Sequence, residues 1–142
     1  MCVLRCLVST VAILCCAKRS RYALMDKIIA WTVTTFNVSR IFFGFDEMRG
    51  FNRDSRSRAA NLTNAESLAK AVNALQASMS KADPKAGRAM IWGDMLSPWH
   101  NGARPEYQLG FGGVKGATYL AMPLLDKRIQ IVSDPRMPPL QL

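Results

Sequence analysis

Cysteine is missing from most of this chain: the four that occur, Cys2, Cys6, Cys15 and Cys16, all fall within the first sixteen residues. The body therefore has no disulfide framework. The Cys2/Cys6 and Cys15/Cys16 spacings lack the second matched pair and the histidines of a zinc site, so small buried hydrophobes are the plainer reading and no metal is expected. Histidine is rarer still, a single His100 with no acid–base partner near it in sequence, which reads as a surface residue. Acids are scarce too, 10 against 19 Lys and Arg, for a net charge of +9 and a pI near 9.9. Such a balance favours anionic partners, among them nucleic acid, acidic membrane and sulfated or phosphorylated ligands. A phosphate-binding loop is also missing. "GFGGVKG", Gly110 to Gly116, fits neither glycine-rich nucleotide pattern and does not directly follow a strand.

The run Cys6 to Ala17 is twelve uncharged residues between Arg5 and Lys18. It falls short of the roughly twenty that a transmembrane helix needs, so no stable membrane span is expected. It does have the length of a signal-peptide core, so residues 1–21 are set apart as a leader or signal-like segment, and a secreted or endomembrane location follows if that segment targets the chain. The sequons at Asn37 and Asn61 would then be glycan acceptors.

What is present suffices for one modest domain: 142 residues, 49% of them hydrophobic. From Tyr22 to Phe36, apolar residues at Leu24, Ile28, Ile29, Trp31, Thr32 and Phe36 recur at helical spacing, with Asp26 and Lys27 on the other side. "RIFFGFDEMRG", Arg40 to Gly50, reads as a buried strand that stops on two carboxylates. Residues 48–61 have no apolar period and read as a long loop. "TNAE", Thr63 to Glu66, is a capping box, and the helix it opens carries Ala65, Leu68, Ala69, Val72, Leu75 and Met79 before Pro84 and Gly87 end it. "AMIW", Ala89 to Trp92, is a second strand, "YLAMPLLD" a short helix interrupted by Pro123, and "IQIV", Ile129 to Val132, a third strand. Strands near 41–46, 89–94 and 129–132, separated by helical crossovers, predict parallel neighbours in an α/β architecture with Asp46, Glu47, Asp94 and Asp134 at one end.

In "FFGFDE", Phe42 to Glu47, and "IWGDM", Ile91 to Met95, the residues from Tyr22 to Val132 resemble the middle of the catalytic barrel of family 20 glycoside hydrolases, the β-N-acetylhexosaminidases and their relatives. That family carries His-x-Gly-Gly-Asp-Glu at one strand end and Trp-x-Asp on a following strand. Here Phe42 stands where the family has histidine, and Phe45 where it has the second glycine. The resemblance implies substrate-assisted hydrolysis of sugars containing N-acetylhexosamine, without a cofactor. Asp46 would orient the 2-acetamido group, whose oxygen attacks the anomeric carbon, and Glu47 would protonate the leaving oxygen. A general acid at neutral pH needs desolvation, so Glu47 is expected to be the less solvated of the two, in a cavity near Trp92. Trp92 would pack on the sugar face, Asp94 accept from a hydroxyl, and Arg49 rim the site.

A complete (β/α)₈ barrel typically takes about 250 residues. The chain thus reads as a partial barrel of about three parallel strands over residues 22–133, with an irregular tail at 134–142, inactive by itself and open to association through its sheet edges. The competing class is a small basic binding protein whose "RGFNRDSRSR" loop, with Arg49, Arg53, Arg56 and Arg58, contacts an anionic polymer. Asp54 inside the loop and the lack of an RNA-binding module favour a carbohydrate substrate over nucleic acid.

Overall fold

The computed structural model describes residues 19–48, 59–103 and 117–133. Of the leader expected at 1–21, residues 1–18 lie outside the described residues and 19–21 begin the first helix; the arginines from Arg49 to Arg58, the glycine-rich stretch and Asp134 also lie outside them. The elements run α1 (Arg19–Phe36), β1 (Arg40–Phe42), α2 (Asn64–Ala82), β2 (Arg88–Trp92), a 3₁₀ turn (Asp94–Leu96), a 3₁₀ helix (Thr118–Leu124) and β3 (Gln130–Val132). The fold is mixed α/β. Its three strands form one parallel sheet in the order β1-β2-β3, with Ile41 beside Ala89 and Ile91 beside Ile131. Pairing runs on past the strand ends, since the Trp92 N–H donates to the Gly44 carbonyl at 2.8 Å and the Gly93 N–H to the Val132 carbonyl at 2.9 Å.

Alternation along the strands divides the sheet into two faces. Ile41, Phe43, Ala89 and Ile91 are buried in the main core with Ile29, Leu68, Val72 and Met79 from the helices. The other face, carrying Phe42, Met90 and Trp92, is only half-buried. α2 packs on β2, on the 3₁₀ helix and along α1. The capping box forms as its spacing predicts: Thr63 Oγ1 accepts from the Glu66 N–H at 3.1 Å, and the Glu66 carboxylate accepts from the Thr63 N–H at 2.8 Å. The Glu66 carboxyl is lowered from its ordinary pKa, chiefly by that backbone bond and then by the Thr63 hydroxyl.

α1 buries part of the side its apolar period indicates, Ile29 and Thr32 with Ile28 half-buried, but is rotated so that the rest of that side faces out. Met25, Ile29, Thr32 and Val33 are buried, whereas Leu24, Trp31 and Phe36 are exposed. Asp26 does not face away. It accepts from Ser78 Oγ and pairs with Lys81 Nζ at 2.8 Å, both on α2. Its carboxyl is lowered first by the Lys81 hydrogen bond and then by that of Ser78. Ser78 and Lys81 of the partner helix make this flank suitable for a carboxylate, and no feature of the α1 segment alone reports that. The segment expected as a helix broken at Pro123 is a 3₁₀ helix that contains the proline. No helix among the described residues is long and apolar enough to cross a membrane.

Candidate functional site at the carboxyl end of the sheet

β1 ends because its backbone turns left-handed. Gly44 has φ 80 and Phe45 φ 68, and after Asp46 the chain repeats the excursion at Glu47, φ 47. Only glycine adopts such angles without cost, so Phe45 and Glu47 are held there by their surroundings. Those holds are visible. Phe45 and Met48 bury their side chains in the core, the Gly44 carbonyl is bound by Trp92, and the Glu47 N–H donates to Asp94 Oδ2 at 3.0 Å.

Asp94 opens the 3₁₀ turn just past β2. Its Oδ2 also accepts from Asn101 Nδ2 at 2.8 Å, and its carbonyl accepts from the Gly102 N–H at 3.0 Å, which folds residues 94–102 back on themselves. Thr118 Oγ1 ties this loop to the 3₁₀ helix by donating to the Met95 carbonyl at 2.7 Å. Two buried polar atoms, Asp94 Oδ1 and His100 Nδ1, have no hydrogen-bond partner among the described residues. The edge of one ring faces the other in the Phe42–Trp92 pair, with centroids 5.0 Å apart.

The parallel sheet therefore brings Asp46, Glu47, Trp92 and Asp94 to one end, as the strand order predicts; Arg49 and Asp134 lie outside the described residues. Two expectations are corrected. Asp46 and Glu47 are both exposed, so Glu47 lacks the desolvation a general acid requires, because no described segment covers the turn. His100 is not simply a surface residue: it is half-buried, and its Nδ1 is enclosed. Asp94 is expected to bind a hydroxyl, but one of its oxygens is already occupied within the chain. Asn101, 2% exposed, is the residue that sequence reasoning missed. Asn in an aperiodic loop reads as a turn former, and nothing local marks its bond to Asp94. Among the described residues no three His, Cys, Asp or Glu side chains gather to hold a metal ion. No protein-family model matches the chain, and no curated protein sequence matches it.

Proposed function

We propose that the carboxyl end of this sheet is part of a glycoside hydrolase site of the family 20 type, acting on sugars that contain N-acetylhexosamine. The observation that carries the reading is the backbone of the acidic turn. The family motif has two consecutive glycines before Asp-Glu, and the two positions that match them, Gly44 and Phe45, are both left-handed, at φ 80 and 68. A motif that calls for glycine at both places is what such a backbone needs. In this chain the second place is held instead by burying the Phe45 ring, 4% exposed.

In this reading Asp46 orients the substrate's acetamido group, Glu47 protonates the leaving oxygen, and the half-buried face of Phe42 and Trp92 lies toward the sugar. Both carboxylates need walls that the three strands do not supply. A closed (β/α)₈ barrel would add them, along with strand partners for the outer edges of β1 and β3 and a neighbouring helix over Leu24 and Trp31 of α1. Those strands would come from a longer polypeptide or from another chain. Three strands alone are expected to give no turnover.

The test is nuclear magnetic resonance of the ¹⁵N-labelled chain titrated with N-acetylglucosamine oligomers. The Trp92 indole and the Glu47 amide should shift together, less so in Asp46→Asn. If turnover is obtained on completing the barrel, Glu47→Gln should slow cleavage of substrates with poor leaving groups by about 10²-fold or more. Shifts confined to other regions, or identical titrations in wild type and Asp46→Asn, would sink the reading.

A further inference from the structure

We infer that Asp94 is a positioning residue, held by Asn101, whose carboxylate fixes the backbone of Glu47 from the neighbouring strand. As a statement about catalysis this rests on the hydrolase reading above, but the contact itself can be tested without it. Glu47 is otherwise poorly held: it is exposed, it follows exposed Asp46, and its φ of 47 is one that a residue with a Cβ adopts only under constraint. Its N–H is 3.0 Å from Asp94 Oδ2, a bond between residues 47 apart in sequence that closes the end of β1 onto the end of β2.

The acceptor is in turn fixed on three sides. Asn101, nearly fully buried, donates to the same Oδ2 at 2.8 Å; the Gly102 N–H holds the Asp94 carbonyl; and the Gly93 N–H, one residue earlier, is bound to β3. One of these bonds holds the carboxylate itself and two hold the backbone from which it projects, so the acceptor for Glu47 is anchored at both ends of its side chain. A bond to a charged acceptor is also stronger than a bond between neutral groups. The direction in which the Glu47 side chain leaves the turn is thus set from Asp94, a residue that does no chemistry itself. Its Oδ1, buried and without a partner among the described residues, is the atom left over.

Amide hydrogen exchange reads this directly. In an exposed turn the Glu47 amide should exchange almost as fast as in an unfolded chain, unless Asp94 holds it. We expect measurable protection in the wild type. It should fall roughly tenfold to a hundredfold in Asp94→Ala, the range for losing a hydrogen bond to a charged group. Asp94→Asn keeps a carbonyl acceptor and should retain part of the protection. Asn101→Ala should give a smaller loss. The amides of Ala89 and Ile91 in β2 should not change, which separates a local release from general unfolding. A wild-type Glu47 amide that exchanges freely overturns the assignment, as does Asn101→Ala or Asp94→Asn lowering β2 and Glu47 protection equally. Should Asp94→Ala fail to fold, those two variants and the wild type still decide. Protection of Glu47 with no response of its amide to N-acetylglucosamine oligomers would sink the hydrolase reading and leave the positioning role standing.

Discussion

The two ends of the parallel sheet are built to opposite standards. At the amino end of β2, Gln76 of α2 is fully buried and satisfied on both sides of its amide: Nε2 donates to the Gly87 carbonyl at 3.0 Å and to Ser80 Oγ at 3.0 Å, and Oε1 accepts from the Ala89 N–H at 2.9 Å. Gly87 is packed so tightly that a Cβ there would stand 2.4 Å from the Met79 carbonyl oxygen. Asn73 bridges α2 to the start of β3 in the same manner, donating to the Leu124 carbonyl and accepting from the Asp126 N–H, both at 2.8 Å. The carboxyl end has two non-glycine residues in left-handed backbone, two buried polar atoms without partners among the described residues, and two exposed carboxylates. At the amino end the left-handed residue is Asn37, φ 49, a residue type that takes this backbone readily, whereas at the carboxyl end Phe45 and Glu47 take it at a cost. The amino end holds the fold together, and the carboxyl end has the features that functional sites tolerate.

The largest effect that would break this contrast lies at the amino end. Gln76→Leu preserves bulk but strands the Ala89 N–H inside the protein, while the Gly87 carbonyl keeps its bond from Arg88 Nη1 at 3.1 Å. Leaving that buried donor unsatisfied should cost about 2 kcal/mol, read as a lower denaturation midpoint in urea. A loss below about 0.5 kcal/mol, the scale of an ordinary surface substitution, would mean that the amide network is not what closes this end.

A smaller effect tests the same end through pH. Asp126, in the turn before β3, is bound by the Arg128 side chain at 3.0 and 2.7 Å and by the Arg128 N–H at 2.9 Å, and these hold its carboxyl down from 3.8 to about 2. A carboxyl whose pKa is lowered by folding stabilises the protein above its unfolded value and loses that contribution as pH falls through its folded value. The advantage of wild type over Asp126→Asn should therefore be full above the unfolded value of 3.8 and fade by about pH 2. Arg128 remains 45% exposed and Asp126 31%, so solvent screening keeps the effect to a few tenths of a kcal/mol. Comparing the two proteins by thermal unfolding across that window checks it. An advantage that grew on acidification would contradict the ion pair.

How much of this was legible in the sequence depends on how local each cause is. The capping box is written in four adjacent residues, Thr63 to Glu66, and forms as read. The parallel order of the strands follows from apolar runs separated by helix-length crossovers, and it too is observed. The rotation of α1 was not legible, because what makes room for Asp26 is Ser78 and Lys81, more than fifty residues away. Gln76 gave no sign of its role, since its backbone partners lie 11 and 13 residues downstream, beyond any helical spacing. At the carboxyl end, the acidic pair and Trp92 stood out by residue type. The left-handed backbone that ends β1, the Asn101–Asp94–Glu47 chain and the solvent exposure of Glu47 belong to tertiary structure alone.

The last expected effect has the opposite sign and bears most directly on the contrast. Glu47 is exposed, so its side chain contributes little packing, while its φ of 47 is costly for any residue with a Cβ. Glu47→Gly should relieve that cost and keep the N–H that Asp94 accepts. Against this stands the wider conformational freedom glycine gives the unfolded chain, a loss of roughly 0.5–1 kcal/mol. Left-handed backbone costs a residue with a Cβ roughly 1–2 kcal/mol, so the net in urea denaturation should run from about zero to a gain of about 1.5 kcal/mol. The same substitution removes the carboxyl that the proposed chemistry requires. A variant more stable than wild type but without the proposed hydrolytic activity in a completed barrel would show that this end gives up stability to present a side chain. A loss of 1 kcal/mol or more would mean that Glu47 helps hold the fold, and the contrast between the two ends would fail at the residue where it is drawn most sharply.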